Sequence, residues 1–399
     1  MIPVEKATNI IIENSKDFGT EEVSIHHSEG RILAQDIQAD RPFPPFNRVC
    51  MDGIAIAYKS YQLGHRTFQV ESVGAAGDPI ETLNDPLKCI EIMTGAPLPI
   101  NTDTVIRYED LIETSAGFKI TTEIYPDKNI HFTGSDHKGG ETLLSHNIRL
   151  GASEIGVMAT VGIEKVKVKK YPKVALISSG EELVAISDQP LPHQIRRSNI
   201  YVLQSRLREL RIESDTYHFK DDSIDIVNQV RNLVDHYDVL MISGGVSKGK
   251  FDFIPSVLEN LRFVKLFHRV SQRPGKPFWF GKKRNKTVFA FPGNPVSSFL
   301  CFHKYFVTWL KASLNQDYHS SLKVTLLNDV TFKPDLTYFA QAKLYPGKDS
   351  KLYAEVRHGN GSGDLVNPTI NDGFVELPKG KNLFKKGEIV NFIPYRSVF

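Results

Sequence analysis

The chain has 399 residues, 41% hydrophobic and 24% charged, with a net charge of +3. That length exceeds one ordinary core and predicts two to four domains of soluble, globular composition. Nothing in the charge pattern resembles a nucleic-acid footprint, because the basic segments 165–173 and 282–286 are short and interrupted and read as solvated strand faces or a turn. Cys50, Cys89 and Cys301 lie far apart with no CxxC pair, which excludes a disulfide framework and a structural zinc site; Cys50 reads as a small residue in a turn. The N-terminus lacks a signal-peptide pattern and no apolar run reaches the ~18 residues of a membrane span, so a cytoplasmic protein that does not engage a membrane is expected.

In chain order, Val4, Ala7, Ile10 and Ile11 recur at helical spacing after Pro3 and predict an amphipathic helix over 3–15. The proline-rich stretch 41–46 then breaks regular structure. Residues 45–125 read as a small β domain, with strands expected at 54–57, 67–73, 89–93, 104–108 and 118–122. Mixed character returns over 126–172, with a helix near 153–161 and a basic strand at 165–169. If residues 1–44 and 126–172 pack together as one split N-terminal domain, the β domain is an insertion in it.

From 173 to 317 the pattern changes to short continuous apolar runs alternating with helices. The runs are 174–177, 238–242 and 287–291, with a further strand at 215–219, and the helices span 199–210 and 295–313. Such alternation predicts a mainly parallel sheet covered on both faces. Residues 318–399 revert to short alternating strands with Gly and Pro turns, which fit a small barrel or sandwich.

Each apolar run of the α/β segment feeds a loop of small polar residues: Ser178, Ser179, Gly180, Glu181 and Glu182; then Ser243, Gly244, Gly245, Val246 and Ser247; then Pro292, Gly293, Asn294 and Pro295. Parallel strands deliver such loops to one carboxyl edge, where ligands bind. Glycines let backbone N–H groups approach closely, and the N-terminus of the 295–313 helix adds donors and partial positive charge. The set predicts an anion site, phosphate being the natural occupant. Lys276, between Gly275 and Pro277 in the turn Arg273-Pro274-Gly275-Lys276-Pro277, presents a fixed charge to it. Glu181, Glu182 and Asp252 decorate the same loops, and Asp221 and Asp222 follow another strand; acids beside phosphate call for a cation, and Mg2+ held by one or two carboxylates and phosphate oxygens suits them. In the β domain, Asp52 sits in a tight turn, and Thr94 and Gly95 open a rigid turn. Asp136 and His137 lie in the polar loop 134–141. GxGxxG after a strand, GxxxxGK[ST], GxSxG and HExxH are absent, which removes simple dehydrogenase, P-loop, α/β-hydrolase and zinc-protease readings.

Taken in order, these loops resemble the molybdopterin molybdotransferase family, also called MoeA, related to the gephyrin E domain. The matching segments are 45–55, 94–99 with 108–110, 134–136 with 140–141, 178–183, 198–199, 243–249 with Asp252, 274–277 and 291–297. The resemblance implies an elongated multidomain α/β plus β chain with a split mixed domain, an inserted β domain, a MoaB/MogA-like parallel α/β domain and a C-terminal β-barrel domain. It implies a homodimer that inserts molybdate into adenylylated molybdopterin with Mg2+ and releases AMP. A molybdopterin adenylyltransferase and molybdoenzymes or their chaperones are the implied partners. By resemblance, Glu182 and Asp252 hold the metal, and Lys276 with the 243–247 loop cradles phosphate. Asp52, Asp136 and Asp221 occupy required acidic positions. Thr94, Gly95, Ser178, Ser179, Gly180, Asn199, Arg273, Pro274, Gly275 and 292–295 line the substrate. Arg273 replaces the family's usual lysine, Cys50 a usual Ala or Thr, and Arg197 a frequent acid. A partner-clustering scaffold without catalysis, a related adenylyltransferase or pyrophosphatase, and tungstate in place of molybdate are the competing readings.

Overall fold

The computed structural model describes residues 1–219, 223–246, 253–319 and 321–396. The first helix, Val4–Glu13, buries Val4, Ala7 and Ile11, the positions its periodicity marks. They pack into a core shared with Trp309, whose indole Nε1 donates to Asn14 O at 2.9 Å. Downstream of it, Thr20–Ser24 pairs antiparallel with Lys165–Lys169, and Ile37–Gln38 pairs with Thr142–Leu144. Leu33, Ile37, Leu150, Met158, Val166 and Val168 form one core across these pairings. Segments more than a hundred residues apart in sequence therefore fold against each other. The strand Lys165–Lys169 alternates exposed Lys165 and Lys167 with buried Val166 and Val168, as a solvated strand face requires, and ends on a half-buried Lys169 paired with Asp17.

Between these halves lies a six-stranded sheet in the order Thr104–Arg107, Gly53–Ile56, Lys88–Ile92, Thr67–Gly74, Gly117–Ile120, Leu111–Thr114. The five expected strands are all present to within two residues. Apolar clusters containing Ala55, Ile90 and Val105 on one side and Ile54, Phe68 and Ile106 on the other cover it.

The α/β segment carries a second six-stranded sheet, ordered Ser214–Phe219, Val174–Ser179, Val239–Ser243, Lys286–Phe291, Trp279–Lys283, Val264–His268. The first four strands are parallel, Trp279–Lys283 runs opposite to them, and Val264–His268, antiparallel to Trp279–Lys283, points the same way as the four. The expectation of a mainly parallel sheet thus holds, with Trp279–Lys283 as the one reversed strand in it. Val174, Leu176, Val239 and Met241 enter one core, while Ala175, Ile177, Leu240 and Ile242 enter another. Alternate side chains are buried on opposite faces, which is why these strands read as unbroken apolar runs. The long helix expected over 295–313 is interrupted: Pro295–Cys301 and Val307–Ser313 are α-helical, and Phe302–Phe306 forms a π-turn between them. Its Phe302, Tyr305 and Phe306 are fully buried beside Trp309, so one extra residue in the turn goes with a dense aromatic cluster.

The C-terminal strands Leu322–Leu326, Thr337–Pro346, Leu352–Val356, Gly373–Leu377 and Ile389–Pro394 close on themselves. Thr337–Pro346 pairs with both Leu352–Val356 and Gly373–Leu377, completing a five-stranded barrel. Closure leaves no unpaired edge among these strands. The two residues Gln272–Arg273 add to the barrel in parallel, opposite Thr337 and Tyr338, and so tie an α/β loop to it. Among the described residues, no helix is long and apolar enough to cross a membrane.

Candidate functional site

The loops at the carboxyl edge of the parallel strands line a cleft of about 1020 Å3. Ser178, Ser179, Gly180, Glu182, Asn199, Ser243, Gly244, Gly245, Pro292, Gly293, Asn294 and Pro295 all contribute to it. The glycines are dictated by geometry. Gly244 has φ +100° and a Cβ there would lie 2.6 Å from Ser179 O, so its backbone packs directly on the neighbouring loop. Gly180, at φ +146°, leaves room for the Glu182 carboxylate, whose Oε2 lies 2.6 Å from where its Cβ would be. Asn199 is a strut: its Nδ2 donates to Ser243 Oγ at 2.9 Å and to Gly293 O at 2.7 Å. Ser178 is turned to its own sheet, with Oγ 3.2 Å from Tyr217 O and 3.0 Å from His218 Nδ1.

A second cleft, about 710 Å3, lies between these loops and the barrel and shares Pro277, Pro292 and Asn294 with the first. Arg273, Pro274, Gly275, Lys276 and Arg357 line it. Arg357 is paired with Glu355 at 2.8 Å, whereas Arg273 and Lys276 make no ion pair among the described residues. The 273–277 turn is held from behind. Gly275 takes φ +84°, and buried Gln272 donates through Nε2 to Pro274 O at 3.1 Å and Gly275 O at 3.3 Å. The buried Tyr305 hydroxyl donates to Gln272 Oε1. The barrel's glycine-rich loop docks on the other side. Ser362 O accepts from Val296 N at 3.1 Å and Ser362 Oγ from Asn294 Nδ2 at 2.8 Å. The helix N-terminus expected to offer free N–H groups therefore has one of them already engaged by the barrel.

The acids of the inserted domain stand elsewhere. Asp52 Oδ1 accepts from Thr94 N at 2.6 Å, and the Thr94 backbone and hydroxyl together hold its carboxyl below the ordinary range. The turn is forced by Gly53, where a Cβ would fall 1.9 Å from Ile106 O. Asp136 Oδ1 lies 2.8 Å from His131 Nε2, and His131 Nδ1 lies 3.0 Å from Arg48 Nη2. A guanidinium only donates, so Nδ1 accepts and Nε2–H donates to the carboxylate, which fixes the Asp136 side chain. Gly95 sits beside Thr94 in the same turn, at φ +88°. No residue before Ser178 lines either cleft, so Asp52, Thr94, Gly95 and Asp136 do not join Glu182 and Lys276 within one chain. Asp221, Ser247 and Asp252 lie outside the described residues.

Sequence reasoning left out Gln272, Tyr305, His131, Arg196 and Arg357. Gln272 and Tyr305 carry no local motif and meet only through the tertiary fold. Arg196 and Arg197 were signalled by their charge, and both line the main cleft from the short parallel pair Leu183–Val184 and Ile195–Arg196. Among the described residues, no group of three or more His, Cys, Asp or Glu side chains forms a metal cage. The described part of the cleft offers Glu182 as a carboxylate open to ligand, which fits magnesium's preference for one or two carboxylates with substrate phosphates.

Glycine-lined loops at the carboxyl edge of a parallel sheet, cationic side chains beyond them and a barrel closing the far wall form a two-part cleft of the kind in which α/β proteins bind ligands, with donors suited to anionic groups. Comparison with known proteins specifies it further. The chain belongs to the MoeA family: residues 2–162 match the MoeA N-terminal region (domain I and II), 175–312 a probable molybdopterin binding domain and 323–395 the MoeA C-terminal region (domain IV). It is 38% identical to a molybdopterin molybdenumtransferase of Synechocystis sp. over 98% of this chain and 99% of that protein. A molybdopterin molybdenumtransferase of Staphylococcus epidermidis is 30% identical over 98% of this chain and 95% of its own length. The crystal structure of the molybdopterin biosynthesis MoeA protein from Pyrococcus horikosii superposes with a TM-score of 0.85 at 30% identity, covering 100% of both chains.

Proposed function

We propose that the chain is a molybdopterin molybdenumtransferase that inserts molybdate into adenylylated molybdopterin and releases AMP, completing the molybdenum cofactor. The observation that carries this reading is the pair of clefts that share a wall: one lined by Gly180, Gly244, Gly245 and Gly293, the other by Arg273 and Lys276, which make no ion pair among the described residues, meeting at Pro277, Pro292 and Asn294. A phosphoanhydride laid along the glycine loops is held by backbone donors, and an oxyanion in the second cleft faces fixed positive charge. Holding both partners at set positions turns a two-body encounter into an oriented one, the effect that geometry alone supplies. Glu182 would hold magnesium with the substrate phosphates, and the ion when bound would neutralise pyrophosphate charge. Asp252, the other acid implied by the resemblance, lies outside the described residues.

The positions of Asp52, Thr94 and Asp136 support a homodimer in which the inserted domain of one chain completes the cleft of the other. Three free thiols, Cys50, Cys89 and Cys301, suit a reducing cytoplasm. Implied partners remain the adenylyltransferase that makes the substrate and the molybdoenzymes that receive the product.

The test is an assembly assay with purified protein, adenylylated molybdopterin, Mg2+ and limiting molybdate. AMP release that depends on molybdate, and falls at least about 100-fold in Lys276→Ala, supports the reading. AMP release indifferent to molybdate would instead mark a pyrophosphatase.

A further inference from the structure

Asp52 and Asp136 are both set by one short strand, Arg48–Val49. On one side of it Val49 N donates to Ala96 O and Gly95 N to Val49 O, both at 2.9 Å, beside the turn where Thr94 holds Asp52. On the other side it pairs antiparallel with Ile130–His131, which sets Arg48 opposite His131. The chain then loops back to Asp136. Asn47 Oδ1 accepts from Thr133 N at 2.9 Å and from Thr133 Oγ1 at 3.1 Å. Pro44 O accepts from Gly134 N and Phe43 O from Asp136 N, both at 3.0 Å. The backbone of the loop is thus fixed without the His131 imidazole, and what remains free at Asp136 is the rotation of its side chain.

The imidazole removes that freedom. Arg48 Nη2 can only donate, so it holds His131 in the tautomer with bare Nδ1 and protonated Nε2, and Nε2–H meets Asp136 Oδ1 at 2.8 Å. Among the described residues this is the one side-chain bond that Asp136 makes, and it leaves Oδ2 open on a side chain that is 52% exposed. Asp136 lines neither cleft of its own chain. A carboxylate held in one rotation, with an accessible oxygen and no target in its own chain, is prepared for a group that another body brings. The exposed pair itself adds little stability; what it supplies is direction.

We propose that His131 is a positioning residue for the insertion reaction: anchored by Arg48, it turns Asp136 so that Oδ2 meets the substrate cleft of a partner chain. The role rests on the proposed function, which supplies that cleft and the reaction in it.

The experiment is the assembly assay on the full-length protein, with the AMP dissociation constant and the melting temperature measured for each variant. His131→Phe keeps a ring and loses both bonds, and is expected to lower kcat at least about tenfold. Its KM and AMP dissociation constant should stay within about twofold of wild type, because the effect lies in orientation and not in ground-state binding. Its melting temperature should barely move. His131→Gln offers an acceptor to Arg48 and a donor to Asp136, so it should recover turnover to within about threefold of wild type. His131→Glu, of the same length with no donor, should be as slow as His131→Phe. Because the strut acts through one carboxylate, His131→Phe added to Asp136→Asn should slow that variant no further. Wild-type turnover in His131→Phe, failure of His131→Gln to recover it, or additive losses in the double variant would overturn the role. A loss of kcat matched by a fall in melting temperature would make the pair structural and overturn it equally. A wild-type protein that binds AMP and releases none with molybdate would sink the proposed function and the role with it, a result told apart from the others by the inactive wild type.

Discussion

Two residues of the inserted domain show how little separates a tight turn from an impossible one. Gly53 faces Ile106 O so closely that a methyl group has nowhere to go, and Gly53→Ala is expected to cost about 3 kcal/mol or more, read by chemical denaturation. The turn it permits delivers Asp52 to Thr94. Asp52→Asn keeps an acceptor for Thr94 N and removes the charge, so the expectation is a folded protein whose thermal transition drops only slightly at pH 7 while its turnover falls far more. A transition lowered in parallel with activity would reduce Asp52 to a structural role. Tyr395→Phe makes the opposite point: it deletes a buried hydroxyl that has no partner among the described residues, so the protein should melt no lower than wild type and somewhat higher. These glycines and acids were legible in the sequence because tight turns have a restricted vocabulary. Gln272 and Tyr305 were not. A glutamine that anchors a loop through a tyrosine 33 residues away leaves no local trace.

At the level of elements, the 273–277 turn depends on that buried pair. Tyr305→Phe leaves Gln272 Oε1 without its donor and is expected to cost about 1–3 kcal/mol in denaturation. If the turn positions Lys276, the same variant should raise KM more than it lowers kcat. The inserted domain offers a pH test. Asp110 is nearly buried and bonded to Arg107 and Lys128, each at 3.1 Å, and Arg107 first and Lys128 after it hold its carboxyl below the ordinary range. A depressed carboxylate contributes stability above its unfolded pKa and loses it as pH falls through the folded one. Asp110→Asn should therefore lower the melting temperature at pH 7, and the gap should close as the solution is acidified below pH ~4. His303 also weakens the fold toward acid, by a different route and at higher pH. Burial first, and then Arg206, drive its imidazole well below 6.5, so the unfolded chain takes up a proton that the folded chain refuses. Stability should fall by about 1.4 kcal/mol per pH unit below pH 6.5 from this group alone, and His303→Leu should flatten that slope. The strands feeding the loops were legible because burial on both faces writes a continuous apolar run. The direction of Trp279–Lys283 was not, since a short strand can run either way and only its pairing with Lys286–Phe291 and Val264–His268 decides. Nor was the π-turn, whose spacing differs from an α-helix by a single residue.

For the whole molecule, the order of the domains in sequence was readable from changes of pattern, but the separation of the two clusters of acids was not. Motifs adjacent in a functional list need not be adjacent in space, and within one chain Asp52 and Asp136 line neither cleft. If two chains complete each other's sites, mixing Asp52→Asn with Lys276→Ala protein and letting subunits exchange should restore about a quarter of wild-type activity, because half the dimers are mixed and half their sites intact. Sites completed within one chain would restore none. The split domain carries a further consequence, for synthesis. Thr20–Ser24 leaves the ribosome about 140 residues before its partner Lys165–Lys169, an interval of roughly 7–30 s at ~5–20 residues per second. During that interval the strand has no native neighbour. The inserted sheet, whose strands all lie between 53 and 120, can form while it waits. Its early folding would draw the two ends of the insert together and shorten the search that closes the host domain, so a destabilised insert should show its damage first as nascent chains lost to aggregation or proteolysis.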